Sequence, residues 1–468
     1  MSDAAAERAL AGASHVPLWL DSAERPPARP ALQGEVECDL AVVGAGFTGL
    51  WTALRSLERG TAGSVVVLES DRVASAASGR NGGFVEASVT HGLDNGAARF
   101  PREVDVLERL GRANLDAIEA TVASEEIDCA FERTGAIDVA TAPWQLAGLA
   151  GSAELAAAHS TSAELLDEAA MRERVGSPTY LGGLRRPDTT AIVDPARLAW
   201  GLAAAFERRG GTILEHTPVG GLDSSGTGTV RLATSRGSVR ARRVVLATSA
   251  FPPLVRRIRR YVLPVYDYVL ATEPLGTDHL AEIGWKGREG LSDAGNQFHY
   301  YRLTVDDRIV WGGYDAVYHF GNAVGSRLEV RDRSFQLLAR HFFATFPQLE
   351  GVRFTHAWGG AIDTCSRFCA FFGTAEAGRI AYAAGFTGLG VGASRFAADV
   401  LVDLAFGEET ERSALDLVRS RPFPFPPEPL RSAVVGLTRW SLARADAHDG
   451  CRNAWLRLLD RFGIGFDS

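Results

Sequence analysis

Lysine is all but missing from this chain: of 49 lysine and arginine residues, only Lys286 is a lysine. A Schiff-base mechanism would have to use it. It lies in a glycine-flanked turn, Gly284-Trp285-Lys286-Gly287, which argues against pyridoxal-phosphate chemistry. Cysteine is scarce as well. Five cysteines without paired spacing make no disulfide framework and fit a reducing, cytoplasmic setting. Cys365 and Cys369 stand four apart, but no second pair or histidine cluster completes a zinc site, so no metal is expected. No run approaches the roughly 18 consecutive apolar residues of a membrane span, and Met1 to Leu10 lacks a signal-peptide pattern. Excess positive charge is absent too. The net charge of −8 does not suggest a nucleic-acid partner, and the run Arg256 to Arg260 reads as a solvated face.

What is present is enough apolar sequence, 46% of 468 residues, to build two or three domains' worth of core. Residues 1–36, with Pro26, Pro27 and Pro30, read as an extended lead-in. Cys38 to Val43 is a short apolar run that fits a buried parallel strand. A glycine turn follows, then Leu50, Ala53, Leu54 and Leu57 at helical spacing. Ser64 to Leu68 is a second strand, which completes a βαβ unit. Helices are predicted over Glu103 to Ala123 and over Pro195 to Arg209, the latter with proline in its first turn. Val244 to Ala247, residues 262–270 and 297–315, and Ile380 to Ala383 read as strands. A helix is predicted from about Ala393. After the five prolines of Arg421 to Pro429, two short amphipathic helices are predicted near 431–446 and 453–462.

The chemistry begins at Gly44-Ala45-Gly46-Phe47-Thr48-Gly49. This GxGxxG follows a strand, opens a helix and is answered by Glu69 at the end of the next strand. Gly44 permits the tight turn, Gly46 lets a pyrophosphate reach the backbone, and Gly49 lets helix and strand pack closely. The helix N-terminus offers free N–H groups to phosphates. Glu69 would accept from ribose hydroxyls and disfavours a 2′-phosphate. The motif alone fits either FAD or NAD.

Two further glycine segments decide between them: Ala77-Ser78-Gly79-Arg80-Asn81-Gly82-Gly83 and Gly385-Phe386-Thr387-Gly388-Leu389-Gly390-Val391-Gly392. With these in order, residues 36–407 resemble the FAD-dependent oxidoreductases of the D-amino-acid oxidase and glycine oxidase superfamily. Within it they look most like the amine-oxidising branch related to gamma-glutamylputrescine oxidoreductase. The resemblance implies an α/β fold: a Rossmann-type FAD-binding domain with an inserted substrate domain built on an antiparallel or mixed sheet. It gives Ser78, Arg80, Asn81, Gly82 and Gly83 a place along the pyrophosphate and under the flavin. It puts the Val219 backbone at the adenine, Ala247 and Thr248 in a second nucleotide-side turn, and Gly388, Leu389, Gly390 and Val391 at the flavin pyrimidine ring. The expected segments are 37–95, 181–260 and 356–407 for FAD, 96–180 and 261–355 for substrate, and 408–468 for a linker and helical tail.

The same resemblance makes Tyr266, Tyr268, His299, Tyr301 and Trp358, with Asp315, the expected pocket residues, where aromatic rings could cage an alkylamine. Three departures from the family pattern bear on function. Ile362 stands about where amino-acid-oxidising relatives carry a carboxylate-clamping arginine after Trp-x-Gly, with Arg302 and Arg367 as other sources of that charge. Cys365 does not match the spacing of covalent attachment, so non-covalent FAD is expected. Lys286 is not where several oxidases hold a lysine over the flavin, so the acceptor is either dioxygen or an electron carrier. The expected reaction is oxidation of an amine C–N bond by hydride transfer to flavin, with hydrolysis of the imine. The alternatives are a dehydrogenase whose tail docks a partner or membrane surface and, of a different class, a non-catalytic nucleotide binder. The sequence leaves room for a homo-oligomer.

Overall fold

Two sheets meet around one cavity in the computed structural model, which describes residues 3–226 and 228–464. The first sheet grows from the apolar run at its centre. Gly34–Val43 pairs in parallel with Val65–Leu68 on one side and with Gly237–Leu246 on the other. Leu40, Ala41 and Val42 are fully buried, as a strand covered on both faces requires. Thr212–Leu214 and Ile380–Ala384 extend the parallel core outward. Phe371–Ala375 closes one edge antiparallel, and Val219–Asp223 with Val230–Thr234 forms an antiparallel flap on Gly237–Leu246.

Helices Phe47–Glu58, Pro195–Arg208 and Gly390–Phe406 cover one face. Asp194 caps the second of these, its Oδ1 accepting from the N–H groups of Ala196 and Arg197 at 3.0 Å. The predicted helix after Glu103 is Val104–Ser124.

The second sheet has nine strands and is antiparallel except where Gly290–Asp293 runs parallel to Ala136–Ala140. Its long members are Leu263–Thr272 and Phe354–Thr364, paired over their whole length. Helix Asp332–Thr345 lays Phe335, Leu338, Ala339 and Phe342 on its outer face. Gly182–Arg186 and Phe354–Thr364, expected among the nucleotide-side segments, both lie in this sheet.

The N-terminal stretch is not simply extended. Asp3–Leu10 is helical and buries Ala6 and Ala9 in the second core, while Ser14 N–H donates to Thr355 O and Trp19 enters the first core. Two apolar positions one turn apart supply the driving force that the proline-rich reading overlooked. The tail forms helices Leu430–Asp446 and Ala454–Arg461, and both return to the body of the chain. No helix among the described residues is long and apolar enough to cross a membrane.

Candidate active site

The cavity measures about 1430 Å³ and opens at the carboxyl ends of the parallel strands, where Val43, Leu68, Ala247 and Ala383 reach its wall. Its nucleotide side is built by close backbone approaches. Gly44 has φ +106°, and a Cβ there would stand 2.5 Å from Ala247 O. A Cβ on Gly49 would stand 1.9 Å from Gly44 O, so this glycine sets the distance between helix and strand. Gly46 precedes the helix without a side-chain cap, and Ser78 Oγ accepts from Phe47 N–H at 2.9 Å. Glu69 Oε2 accepts from Ala45 N–H at 2.7 Å, and its Oε1 accepts from Asp71 N–H at 2.9 Å. The turn, the serine segment and the acidic residue are thus bonded into one cradle.

Of the residues expected to hold cofactor, Gly44, Gly46, Phe47, Thr48, Glu69, Ser78, Arg80, Asn81, Gly82, Val219, Ala247, Thr248, Gly388, Leu389, Gly390 and Val391 line the cavity. Ala45, Gly49 and Gly83 stand behind the wall. Gly83, with φ +78°, packs against Val193 O and Arg302. Asn81 braces the same bend, its Oδ1 accepting from Gly83 N–H at 2.8 Å. At the far end Gly385 donates to Asp363 Oδ2 at 2.8 Å, and helix Gly390–Phe406 starts with uncapped N–H groups at the wall. Burial pushes the Asp363 carboxyl up to about 7, against backbone hydrogen bonds that lower it.

The expected substrate residues are placed differently. Tyr266, Tyr268, His299, Tyr301 and Trp358 do not line the cavity; all are buried in cores. The reason is strand parity. On Leu263–Thr272 both tyrosines enter the second core, where Tyr268 packs edge-on against Phe335 of helix Asp332–Thr345. Val265, Asp267 and Val269 alternate with them and face the cavity. On His299–Leu303 it is Tyr300 that turns inward. Tyr301 packs on Trp311 and Trp285, and Trp358 donates its indole N–H to Arg80 O at 2.9 Å. Asp315 does line the cavity, paired with Arg331.

Tyr300 and Asp267 form the centre of that inner wall. Tyr300 Oη donates to Asp267 Oδ2 at 2.5 Å, and Oδ1 accepts from the N–H groups of Tyr268 at 2.8 Å and Gly313 at 3.1 Å. Burial raises Asp267 to about 6 despite these bonds, and burial beside Asp267 raises Tyr300 well above the usual phenol range. The Tyr300 ring fills the space where a side chain on Gly82 would go.

The arginines are equally informative. Arg302 is buried and donates to Gly82 O at 2.7 Å, to Leu303 O and to Val193 O, so its charge braces the Gly82-Gly83 bend. Burial lowers it to about 10. Arg367 is spent on the carbonyls of Cys369, Ala370, Leu417 and Ser420. The wall includes Arg80, Arg186, Arg439 and Arg452, and each already faces a carboxylate: Glu329, Asp138, Asp315 and Asp460 respectively. Ile362 lies in the wall, and Lys286 is exposed and outside it.

Helix Leu430–Asp446 closes one side with Val434, Val435, Thr438, Arg439 and Leu442. Its last residue, Asp446, accepts from Asn296 N–H, Asn296 Nδ2 and Gln297 N–H at 2.7 to 3.0 Å, which ties the tail to the wall loop. No periodicity in the tail could have revealed that placement.

A family model described as FAD dependent oxidoreductase (DAO) matches residues 39–404. The chain belongs to that family. Gamma-glutamylputrescine oxidoreductase of Escherichia coli (strain K12) is 32% identical over 404 residues, covering 84% of this chain and 89% of the relative. Probable oxidoreductase OrdL of Haemophilus influenzae is 27% identical over 412 residues, covering 85% and 90%. Among solved structures, glycine oxidase from Geobacillus kaustophilus superposes with a TM-score of 0.67 at 21% identity, over 82% of this chain and 98% of that one. As a member of this family, the protein is an FAD-dependent oxidoreductase acting on the C–N groups of amines or amino acids. The tail that closes the cavity lies outside the matched span.

Proposed function

We propose that the protein oxidises an amine, polyamine-derived or secondary, rather than an α-amino acid held by its carboxylate. The observation that carries this reading is the state of the arginines. Ile362 occupies the wall position, Arg302 and Arg367 bind backbone carbonyls, and the four arginines of the wall are paired. A substrate carboxylate would have to compete with those partners, whereas an amine would not. The likeness to an oxidoreductase named for gamma-glutamylputrescine, a polyamine derivative, supports the reading.

FAD is held non-covalently in this proposal. Glu69 would hold the ribose; Gly46, Phe47 and Ser78 the pyrophosphate; Arg80, Asn81 and Gly82, backed by Gly83, the ring system; and the N–H groups of Gly390 and Val391 the pyrimidine end. When bound, FAD supplies the hydride acceptor. The chain orients the amine, excludes bulk water and stabilises negative charge at the helix N-terminus. The imine product then hydrolyses.

Anaerobic bleaching of the bound flavin by a panel of polyamines, N-methyl amino acids and D-amino acids tests the reading. Rapid bleaching by D-amino acids alone would sink it. The exposed position of Lys286, outside the cavity, favours an electron carrier over dioxygen as acceptor. Dye reduction that far outpaces peroxide formation supports that choice, and the reverse overturns it.

A further inference from the structure

The cavity has an acidic arm beyond Tyr300, and strand pairing settles which side chains enter it. Tyr300 pairs with Ser292, and Ser292 pairs with Asp138 on strand Ala136–Ala140. Ile137 and Val139 enter the second core, so Asp138 faces the other way, in one row with Ser292 and Tyr300. Ser292 Oγ donates to Asp138 Oδ1 at 2.7 Å, and Arg186 of the adjoining strand Gly182–Arg186 pairs with Oδ2. Helix Pro143–Ala158 roofs this face, with Leu149 packed on Ala140 and Leu184. Tyr300 packs over Gly82, which the proposed FAD site puts at the ring system. Asp138 stands two strands further along the sheet, roughly 10 Å at the usual strand spacing.

Three more carboxylates gather round Arg186. Glu86 shares the open face of strand Phe84–Glu86 with Phe84, which stands edge-on to Tyr300, while Val85 between them is buried. Asp94 lies in helix Leu93–Arg99, where Ser152 Oγ of the roof donates to it at 2.9 Å, and Glu108 lies in helix Val104–Ser124. Arg186 feels the charges of Asp138, Asp94 and Glu86, and Glu108 feels that of Arg186. All four acids line the cavity, and Arg186 is the lining cation they share.

Two of these carboxyls lack donors. Glu108 is 7% exposed, yet it accepts no hydrogen bond among the described residues. Its ion-pair partner Arg112 stands 3.8 Å away and donates to Thr161 Oγ1 at 3.3 Å. Glu86 Oε2 accepts from Thr190 Oγ1 at 2.9 Å, and among the described residues Oε1 accepts from none. Burial raises both groups, Glu86 to about 7, against Thr190 and Arg186 at Glu86 and against Arg112 at Glu108. A buried carboxylate short of donors costs free energy, and a cation carrying N–H groups would recover it.

We propose that this arm binds the second, non-reacting ammonium group of the substrate, so that the enzyme selects a di- or polyamine over a monoamine of equal length, with Glu108 and Glu86 setting the preference. The assignment rests on the amine reading above and deepens it. No bond is made or broken in the arm. The distal nitrogen stays protonated, and its charge and N–H groups meet the two carboxyls.

The test uses the holoenzymes of the wild type, Glu108→Gln and Glu86→Gln. Diamines of increasing length and n-alkylamines of matching length bleach the flavin anaerobically, and the half-saturating concentration is read for each. In the wild type a diamine long enough to span from Gly82 to Asp138 should half-saturate at least about tenfold lower than its monoamine, the size of one charge-assisted hydrogen bond. Each variant should lose most of that preference, whereas damage to packing alone would raise both concentrations together and keep their ratio. Calorimetry with hexamethonium, a dication whose nitrogens have no lone pair to support hydride loss, runs beside it. Glu108→Gln should weaken hexamethonium more than tetramethylammonium. No diamine preference in the wild type, or a preference that both variants keep, overturns the proposal. If Glu108→Gln does not retain FAD, Glu86→Gln decides alone. If amines bleach the flavin without a diamine preference, the arm falls and the amine reading stands. If no amine bleaches it while hexamethonium binds through Glu108, the amine reading falls and the cation site stands; if hexamethonium does not bind either, both fall.

Discussion

Tyr300 Oη donates to Asp267 Oδ2 at 2.5 Å, and this pair forms the cavity wall beside Gly82. Tyr300→Phe leaves a buried carboxyl oxygen without its donor. The variant should lose about 1–3 kcal/mol of stability, read by urea unfolding of the holoenzyme. Amine-dependent bleaching should slow with FAD content unchanged. A variant as stable and as fast as the wild type would show that the pair serves neither fold nor site.

Glu69 accepts from Ala45 and Asp71 N–H groups and lines the cavity; the proposed FAD site gives it the ribose. Glu69→Ala should raise the dissociation constant for FAD about tenfold or more, the order of one or two charge-assisted hydrogen bonds. Fluorescence quenching on titrating apoprotein with FAD measures it.

Gly46 and Gly49 should separate cofactor binding from folding. A Cβ at Gly46 meets only the Ser78 Oγ at 2.8 Å, whereas one at Gly49 meets the Gly44 backbone at 1.9 Å. Gly49→Ala should lower the melting temperature of the apoprotein. Gly46→Ala should leave it nearly unchanged and reduce the stabilisation that added FAD provides.

Asp363 should make stability fall as pH rises. Burial raises its folded pKa from 3.8 to about 7, so between these values the folded state binds the proton that the unfolded state has released. Unfolding free energy should therefore decline from about pH 4 to about pH 7 and level off above. Asp363→Asn, which can still accept from Gly385 N–H, should flatten that slope in urea melts at pH 5 and 7.5. A slope identical to wild type would assign it to other groups.

Asp446 anchors the tail to the loop at Asn296 and Gln297. Asp446→Ala should speed amide exchange in residues 295–297 and raise KM more than it lowers kcat, since the tail forms wall rather than chemistry. Equal losses in both would point to a direct part in the reaction.

The nucleotide half was legible because its signals are local. Strand, turn, helix and Glu69 fall within about thirty residues, and each glycine answers to a close approach of its own neighbourhood. The substrate half was not. His299-Tyr300-Tyr301 is three aromatic rings in a row, so no alternation tells which one faces in. At Tyr266-Asp267-Tyr268 the alternation is present but its sign is not: the rings fill the second core, Tyr268 against Phe335, and the aspartate faces the cavity. Arg302 and Arg367 look like spare cations until their carbonyl partners are seen. The tail helix meets the wall more than a hundred residues from its partners in sequence, a distance at which composition carries no signal.

Lys286 stands exposed in its turn, and no lysine lines the cavity. Imines of this chemistry hydrolyse to carbonyl compounds, aldehydes among them, and aldehydes condense with primary amines. The wall that first meets the product has arginines engaged in ion pairs and carries no ε-amino group. An aldehyde released there would meet no lysine side chain in the wall. Adduct formation, followed by intact mass, should be confined to sites outside the cavity.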